Sequence, residues 1–193
     1  IYQSGSIGLD NSWDLWTSKD GAAVISLRGT TEKQESWMQN FYAAMVPAKG
    51  SLQLGKDNPF NYTLANDPEA AVHVGWLVGM AFLAKEIVPK IETLHKNNTK
   101  DFLIIGHSQG GAIAYLLTAY LYQLQQTGQL PNDIRFKTYC SAAPKPGNLH
   151  FAYEYESLTQ NGWAYNIVNA LDWVPETPLT VQTLNDFNSV NPF

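Results

Sequence analysis

Asp101-Phe102-Leu103-Ile104-Ile105-Gly106-His107-Ser108-Gln109-Gly110-Gly111 is an apolar run that ends in a glycine-flanked serine, and a long helical pattern follows it at once. Phe102 to Ile105 are large apolar or β-branched residues without polar alternation, the pattern of a parallel strand buried on both faces. Ala112 to Gln126 read as helix. With almost no loop between the two, Ser108 is expected on a sharp strand-to-helix turn, where strained backbone angles expose its hydroxyl and Gly106 and Gly110 leave room. A G-x-S-x-G by itself recurs by chance. The strand before it and the helix after it make Ser108 the candidate nucleophile.

Composition bounds what can surround that turn. The 193 residues suffice for one domain with a sizeable core, and 45% apolar content with 12% aromatic residues excludes disorder. A single α/β domain over residues 1–193 is expected. The net charge of −5 and the lack of a Lys/Arg cluster argue against a nucleic-acid partner, because such binding rests on neutralising phosphates. The single cysteine, Cys140, lies in the apolar run Phe136 to Ala143 and is expected to be a buried free thiol. No apolar run reaches transmembrane length. The chain opens at Ile1 in strand-like material, with neither an initiating Met nor a signal-like start, so it is expected to be part of a longer product, incomplete at both ends.

Upstream of the turn, Trp13 to Trp16 and Ala22 to Leu27 read as strands joined by Lys19-Asp20-Gly21, whose Asp-Gly pair is a hairpin signal. Trp37, Met38, Phe41, Tyr42 and Met45, within Thr31 to Pro47, are spaced close to one helical face. Two readings fit: a mobile lid, or an amphipathic helix packed on the core. Asn66-Asp67-Pro68-Glu69 resembles a helix start, with Asp67 as cap and Pro68 at the first position. The helix would carry Val72, Trp76, Met80, Leu83, Ile87, Ile91 and Leu94, with Pro89 kinking its last turns. Downstream, the helix after Ser108 is expected to stop at Thr127-Gly128. A strand over Ile134 to Ala142, a turn at Pro144 to Asn148, a helix over Leu149 to Thr159 and an apolar run Ala164 to Asn169 then follow. This alternation implies a parallel sheet covered on both faces.

A serine hydroxyl is a poor nucleophile until a histidine takes its proton and a carboxylate holds that histidine. On a nucleophile elbow of this type the acid belongs on a loop after a later strand. Asp172, closing the run that ends in Asn169, fits that place, with Asp186 the competitor. Two donors must face the developing oxyanion. The Gln109 N–H follows the nucleophile at a helix N-terminus, where the helix dipole favours negative charge. Arg28-Gly29-Thr30 is best placed for the second, through the Thr30 N–H and hydroxyl, although a simple turn would read the same.

Taken together, these segments resemble the class 3 lipases, the family of the small fungal triacylglycerol lipases within the α/β-hydrolases. Arg28-Gly29-Thr30 resembles the family's R-G-S/T oxyanion motif, and Ser36-Trp37 to Phe41 its n-W-x-x-D/N-L/F lid stretch. Val72-His73-x-Gly75-Trp76 is similar to V-H-x-G-F/W, and Gly106 to Gly110 to G-H-S-x-G. Pro144 to Phe151 is similar to P-x-x-G-N-x-x-F, and Asn169-x-x-Asp172-x-Val174-Pro175 to N-x-x-D-x-V-P. The resemblance implies an α/β-hydrolase fold, a mostly parallel central sheet with helices on both faces and a short helical lid. It favours Asp172 as the acid, Thr30 as an oxyanion donor, and Thr31 to Pro47 as the lid, with Trp37, Met38 and Phe41 meeting lipid. It implies a serine ester hydrolase acting on acylglycerols at a lipid–water interface, a chemistry that calls for no metal or cofactor.

The expected base is the departure. His73 falls in the helical V-H-x-G-W match, where the family's histidine is structural, and His95 sits in a polar helix end, expected to be solvated. His107 precedes the nucleophile and on an elbow points away from it; His150 belongs to the Gly-Asn turn and precedes the acid. The base is therefore expected beyond Phe193. The alternatives are a hydrolase fold without turnover that serves as a binding module, or an esterase or phospholipase of the same fold. Retention of the serine, acid and oxyanion residues, which have little structural use together, argues against the binding module. Low charge and many Asn, Trp and Tyr suit a secreted or cell-envelope protein, and Asn61-Tyr62-Thr63 and Asn97-Asn98-Thr99 match glycosylation acceptors.

Overall fold

In the computed structural model, which describes residues 1–178, the first half of the chain runs β1 (Tyr2–Gln3), β2 (Trp13–Thr17), β3 (Ala23–Leu27), α1 (Gln34–Phe41), β4 (Met45–Pro47), β5 (Lys49–Gln53), β6 (Pro59–Thr63) and β7 (Ala71–His73). It continues through α2 (Val74–Lys96), β8 (Asp101–His107), α3 (Gln109–Gln126), β9 (Arg135–Ser141), α4 (Leu149–Leu158) and β10 (Ala164–Ile167), then a 3₁₀ turn at Val174–Glu176. The main sheet has the order β1-β2-β3-β8-β9-β10. Its first three strands are antiparallel, and β3, β8, β9 and β10 are parallel. The β2–β3 hairpin closes as expected, with Gly21 at φ 85°.

Parallel strands that share a direction end on the same edge, and open α/β sheets put their sites there. Arg28-Gly29-Thr30 after β3, Ser108 after β8 and the Asn169–Asp172 stretch after β10 leave the sheet on that one edge. Phe102 and Ile104 of β8 are fully buried while Leu103 and Ile105 remain half-buried, so the two faces of the strand are covered unequally. Helix α3 packs on β8, β9 and α2, burying Ile113, Leu116, Leu117 and Leu121 completely. Each such side chain contributes roughly 2 kcal/mol. Together they outweigh the ~1–3 kcal/mol that a strained residue at the head of the helix costs. Gly128, at φ 72°, ends α3 where the sequence places the stop.

Two sequence expectations are overturned. Asp67 caps no helix; its Oδ1 accepts the Glu69 N–H in a turn, and the chain then enters β7. Val72 therefore belongs to a strand that pairs with β4, and α2 starts at Val74. Burial decides this, because Ala70 and Val72 are drawn into the core and the strand pairing beats the local cap signal. Likewise α1 ends at Phe41, and Met45 lies in β4 opposite His73 rather than on the helix face. Pro89 sits inside α2, on its exposed side, and the helix continues to Lys96. Cys140 is a buried free thiol whose pKa is raised by burial. No helix among the described residues is long and apolar enough to cross a membrane.

Candidate active site

Ser108 has φ 55° and ψ −126°, a conformation that L residues avoid and that is stored where the surroundings force it. Three contacts do the forcing. The Ser108 N–H donates to Ser141 O at 2.9 Å, tying the turn to β9, and the Ser108 carbonyl accepts the Gly111 and Ala112 N–H groups of α3. Strand and helix also approach so closely that a Cβ at Gly106 would lie 2.2 Å from Gly110 O, and one at Gly110 would lie 2.3 Å from Leu27 O. Glycine is required at both positions by contact, whatever its backbone freedom.

Ser108 lines a cavity of about 480 Å³. Thr30 and Gln109 share its wall with Ser108. Trp37, Asn40, Phe41 and Ala43 line it from the α1 segment, and Trp76 from α2. Pro144, Trp173, Val174, Thr177 and Pro178 complete the lining. Met38 is exposed and lies outside the lining.

The two expected oxyanion donors meet here. The Gln109 N–H opens α3 and has no partner among the described residues. The Thr30 hydroxyl oxygen accepts from Asn40 Nδ2 at 2.9 Å, which leaves its own proton to donate into the cavity. Asn40 is in turn fully engaged: its Oδ1 accepts from Gln109 Nε2 and Trp76 Nε1, each at 2.9 Å. Its backbone carbonyl faces His73 Nε2 at 3.1 Å. Because His73 Nδ1 accepts the Trp76 N–H to cap α2, the ring proton sits on Nε2 and donates to Asn40. His73 is buried and stacked on Trp76 at 3.7 Å, and burial pushes its pKa down to about 4, so the ring is neutral. Sequence reasoning gave Asn40 no role, although it holds the D/N place of the W-x-x-D/N stretch.

Helix α1 is turned opposite to an ordinary amphipathic helix. Ser36 and Gln39 are buried, whereas Trp37, Met38 and Phe41 are 49%, 58% and 75% exposed. The polar face is held by the elbow itself. Gln109 Nε2 donates to Ser36 O at 3.0 Å, and Ser36 Oγ donates to Gln109 Oε1 at 3.3 Å. The reading of an apolar face packed on the core is therefore corrected: hydrogen bonds on the inner side orient the helix, and Trp37 stacks on Phe41 at the cavity wall.

Asp172 follows β10, two strands from β8 on the shared edge. Its N–H donates to Asn169 O, and its Oδ1 accepts the Val174 N–H at 3.0 Å; Oδ2 has no partner among the described residues. It stands beside the cavity, whose lining begins at the next residue, Trp173. The competitor Asp186 lies outside the described residues. Every histidine is committed elsewhere. His107 Nδ1 pairs with Ser141 Oγ at 3.0 Å, and His95 Nε2 with Asp133 at 2.8 Å, so His95 is hydrogen-bonded rather than simply solvated. His150 Nδ1 lies 3.0 Å from Asp67, and none of the four lines the cavity.

A family model described as Lipase (class 3) matches residues 24–182. Among curated proteins, the chain is 31% identical over 109 residues to the triacylglycerol lipase OBL1 of Ricinus communis, covering 55% of this chain and 20% of that protein. It is 31% identical over 108 residues to the secreted mono- and diacylglycerol lipase 1 of Fusarium solani, covering 55% of this chain and 29% of that protein. A fungal lipase–inhibitor complex that served as a model for interfacial activation superposes with a TM-score of 0.71 at 21% identity, over 92% of this chain and 60% of the other. The match thus spans less than a third of the length of each of these curated relatives.

Proposed function

The chain belongs to the class 3 lipase family and shares its α/β-hydrolase fold, and on that premise we propose that the protein is a serine hydrolase of carboxylic esters, acting on acylglycerols. Ser108 Oγ attacks the ester carbonyl while a histidine takes its proton. Asp172 holds that histidine in the tautomer that accepts from serine. The carbonyl oxygen, now negative, is held by the Gln109 N–H and by Thr30. Collapse expels the alcohol, which leaves with the proton carried by the histidine, and water then releases the acid by the same steps. The histidine is supplied from outside residues 1–193, because the four within them are engaged elsewhere.

The observation that carries this reading is the strained Ser108 on the wall of an apolar cavity, beside an unpartnered Gln109 N–H and a Thr30 hydroxyl oriented by Asn40. The exposed Trp37, Phe41, Leu171 and Trp173 around it support a lipid surface as partner. A secreted or cell-envelope location is supported by the relative named as a secreted lipase. The test is Ser108→Ala in the full-length protein. It is expected to abolish hydrolysis of a short-chain ester while the thermal melting point is retained, and undiminished turnover would refute the assignment. The wild-type protein decides against the competing binding-module reading if it turns that ester over at all.

A further inference from the structure

Away from the cavity, one buried carboxylate faces the segment that carries Thr30. Asp10 sits in the tight loop closed by the Ile7–Asn11 bridge, at φ 57°, and its side chain is 5% exposed. Its Oδ1 accepts from Ser6 Oγ at 2.6 Å and Lys33 Nζ at 2.8 Å. Its Oδ2 accepts from Thr31 Oγ1 at 2.8 Å and Arg28 Nη2 at 3.1 Å, and the same guanidinium nitrogen donates to the Asp10 carbonyl. Arg28, Thr31 and Lys33 all belong to the loop after β3, and Arg28 and Thr31 stand immediately on either side of Gly29-Thr30. Across that pair the loop meets the elbow: a Cβ on Gly29 would lie 3.0 Å from His107 O. Gly29-Thr30 is thus clamped between the Asp10 carboxylate and the turn that bears the nucleophile.

An isolated structural ion pair needs one cation and gains little at a surface. Four donors converging on one buried carboxylate, two of them flanking the oxyanion segment, are a different arrangement. Oxyanion donors act only within about 2.7–3.1 Å of the developing charge, so a small drift of Thr30 removes its contribution. We infer that Asp10 is a positioning residue for the oxyanion loop, fixing Arg28 and Thr31 and through them the direction in which the Thr30 O–H points. The inference rests on the proposed role of Thr30. The Lys33 ammonium and the Ser6 and Thr31 hydroxyls hold the Asp10 carboxyl well below the usual carboxylate range, against the opposing effect of burial and with Arg28 adding to the lowering.

The experiment is a double-variant cycle in the full-length enzyme with a soluble short-chain ester, using Asp10→Asn and Thr30→Ala singly and together. Asp10→Asn is expected to lower kcat by about tenfold or more, short of the roughly hundred- to thousandfold that outright loss of an oxyanion donor brings, with KM changed by less than about threefold. In the Thr30→Ala background the same substitution is expected to cost about threefold or less, because the donor it misplaces is already gone. A kcat loss that multiplies undiminished in the double variant, or an effect confined to KM, overturns the inference. An unchanged kcat in Thr30→Ala alone brings down the Thr30 hydroxyl as an oxyanion donor, and the inference with it. Should Asp10→Asn fail to fold, Thr31→Val removes one anchor without changing side-chain shape; it is expected to lower kcat by about three- to tenfold with the same non-additivity, and no change overturns the proposal.

Discussion

The Ser108 region is organised by single side chains whose two ends are both in use. His73 caps α2 through Nδ1 and donates to Asn40 through Nε2, so the fold needs its neutral form. As pH falls below the ordinary value of 6.5, the unfolded ring takes up a proton first, while the folded ring follows only near about 4. In that window the unfolded state binds more protons, so stability falls with falling pH and the contribution of this group is lost once both states are protonated. Thermal melts are expected to show the loss between pH 6.5 and 4, and His73→Asn, which can cap a helix without titrating, should flatten it. A melting curve with the same acid slope in both proteins would remove His73 from the account. The histidine is legible in sequence as a packed structural one, but not as helical: it ends β7 and caps α2 from outside. Its bond to Asn40 is not legible there, since the partners lie 33 positions apart.

At the scale of the element, α1 shows how hydrogen bonding can outweigh the hydrophobic stripe in orienting a short helix. Its spacing of Trp37, Met38 and Phe41 reads correctly as helical, but periodicity cannot say which face is turned inward. The buried Ser36, bonded through both its carbonyl and its hydroxyl to the Gln109 carboxamide, decides it, because buried polar groups must be partnered whereas exposed aromatic rings cost little in place. Trp37→Ser with Phe41→Ser is therefore expected to leave the melting point nearly unchanged, within about 0.5 kcal/mol of stability per surface change. The same variant should lose activity on emulsified substrate and keep it on a dissolved ester. Measuring rate against substrate concentration through the point where droplets form tests this: equal rates for wild type and variant on both sides of that point would mean that the exposed rings do not serve lipid contact.

At the scale of the whole molecule, the parallel order β3-β8-β9-β10 collects residues from distant parts of the chain on one sheet edge, and the proposed triad takes its third member from beyond residue 193. In the full-length protein, replacing one histidine C-terminal to this stretch by Ala is expected to abolish ester turnover as completely as Ser108→Ala, with substrate binding retained. If every such histidine can be replaced without loss, the triad reading fails. What the sequence by itself determined was local: the strand, glycine-flanked serine and helix of the elbow, the β2–β3 hairpin, the stop of α3 and the likeness of its motifs to class 3 lipases. Those features depend on sterics and periodicity within a few residues, so they can be read from neighbours in the chain. The tertiary structure alone decided that Asp67 turns the chain into β7 instead of capping a helix, which way α1 faces, that Asn40 orients Thr30, and that Asp10 gathers Arg28, Thr31 and Lys33. Each of these is settled by burial and by donors matched to acceptors across long separations, and free energies of that kind exist only once the chain has closed on itself.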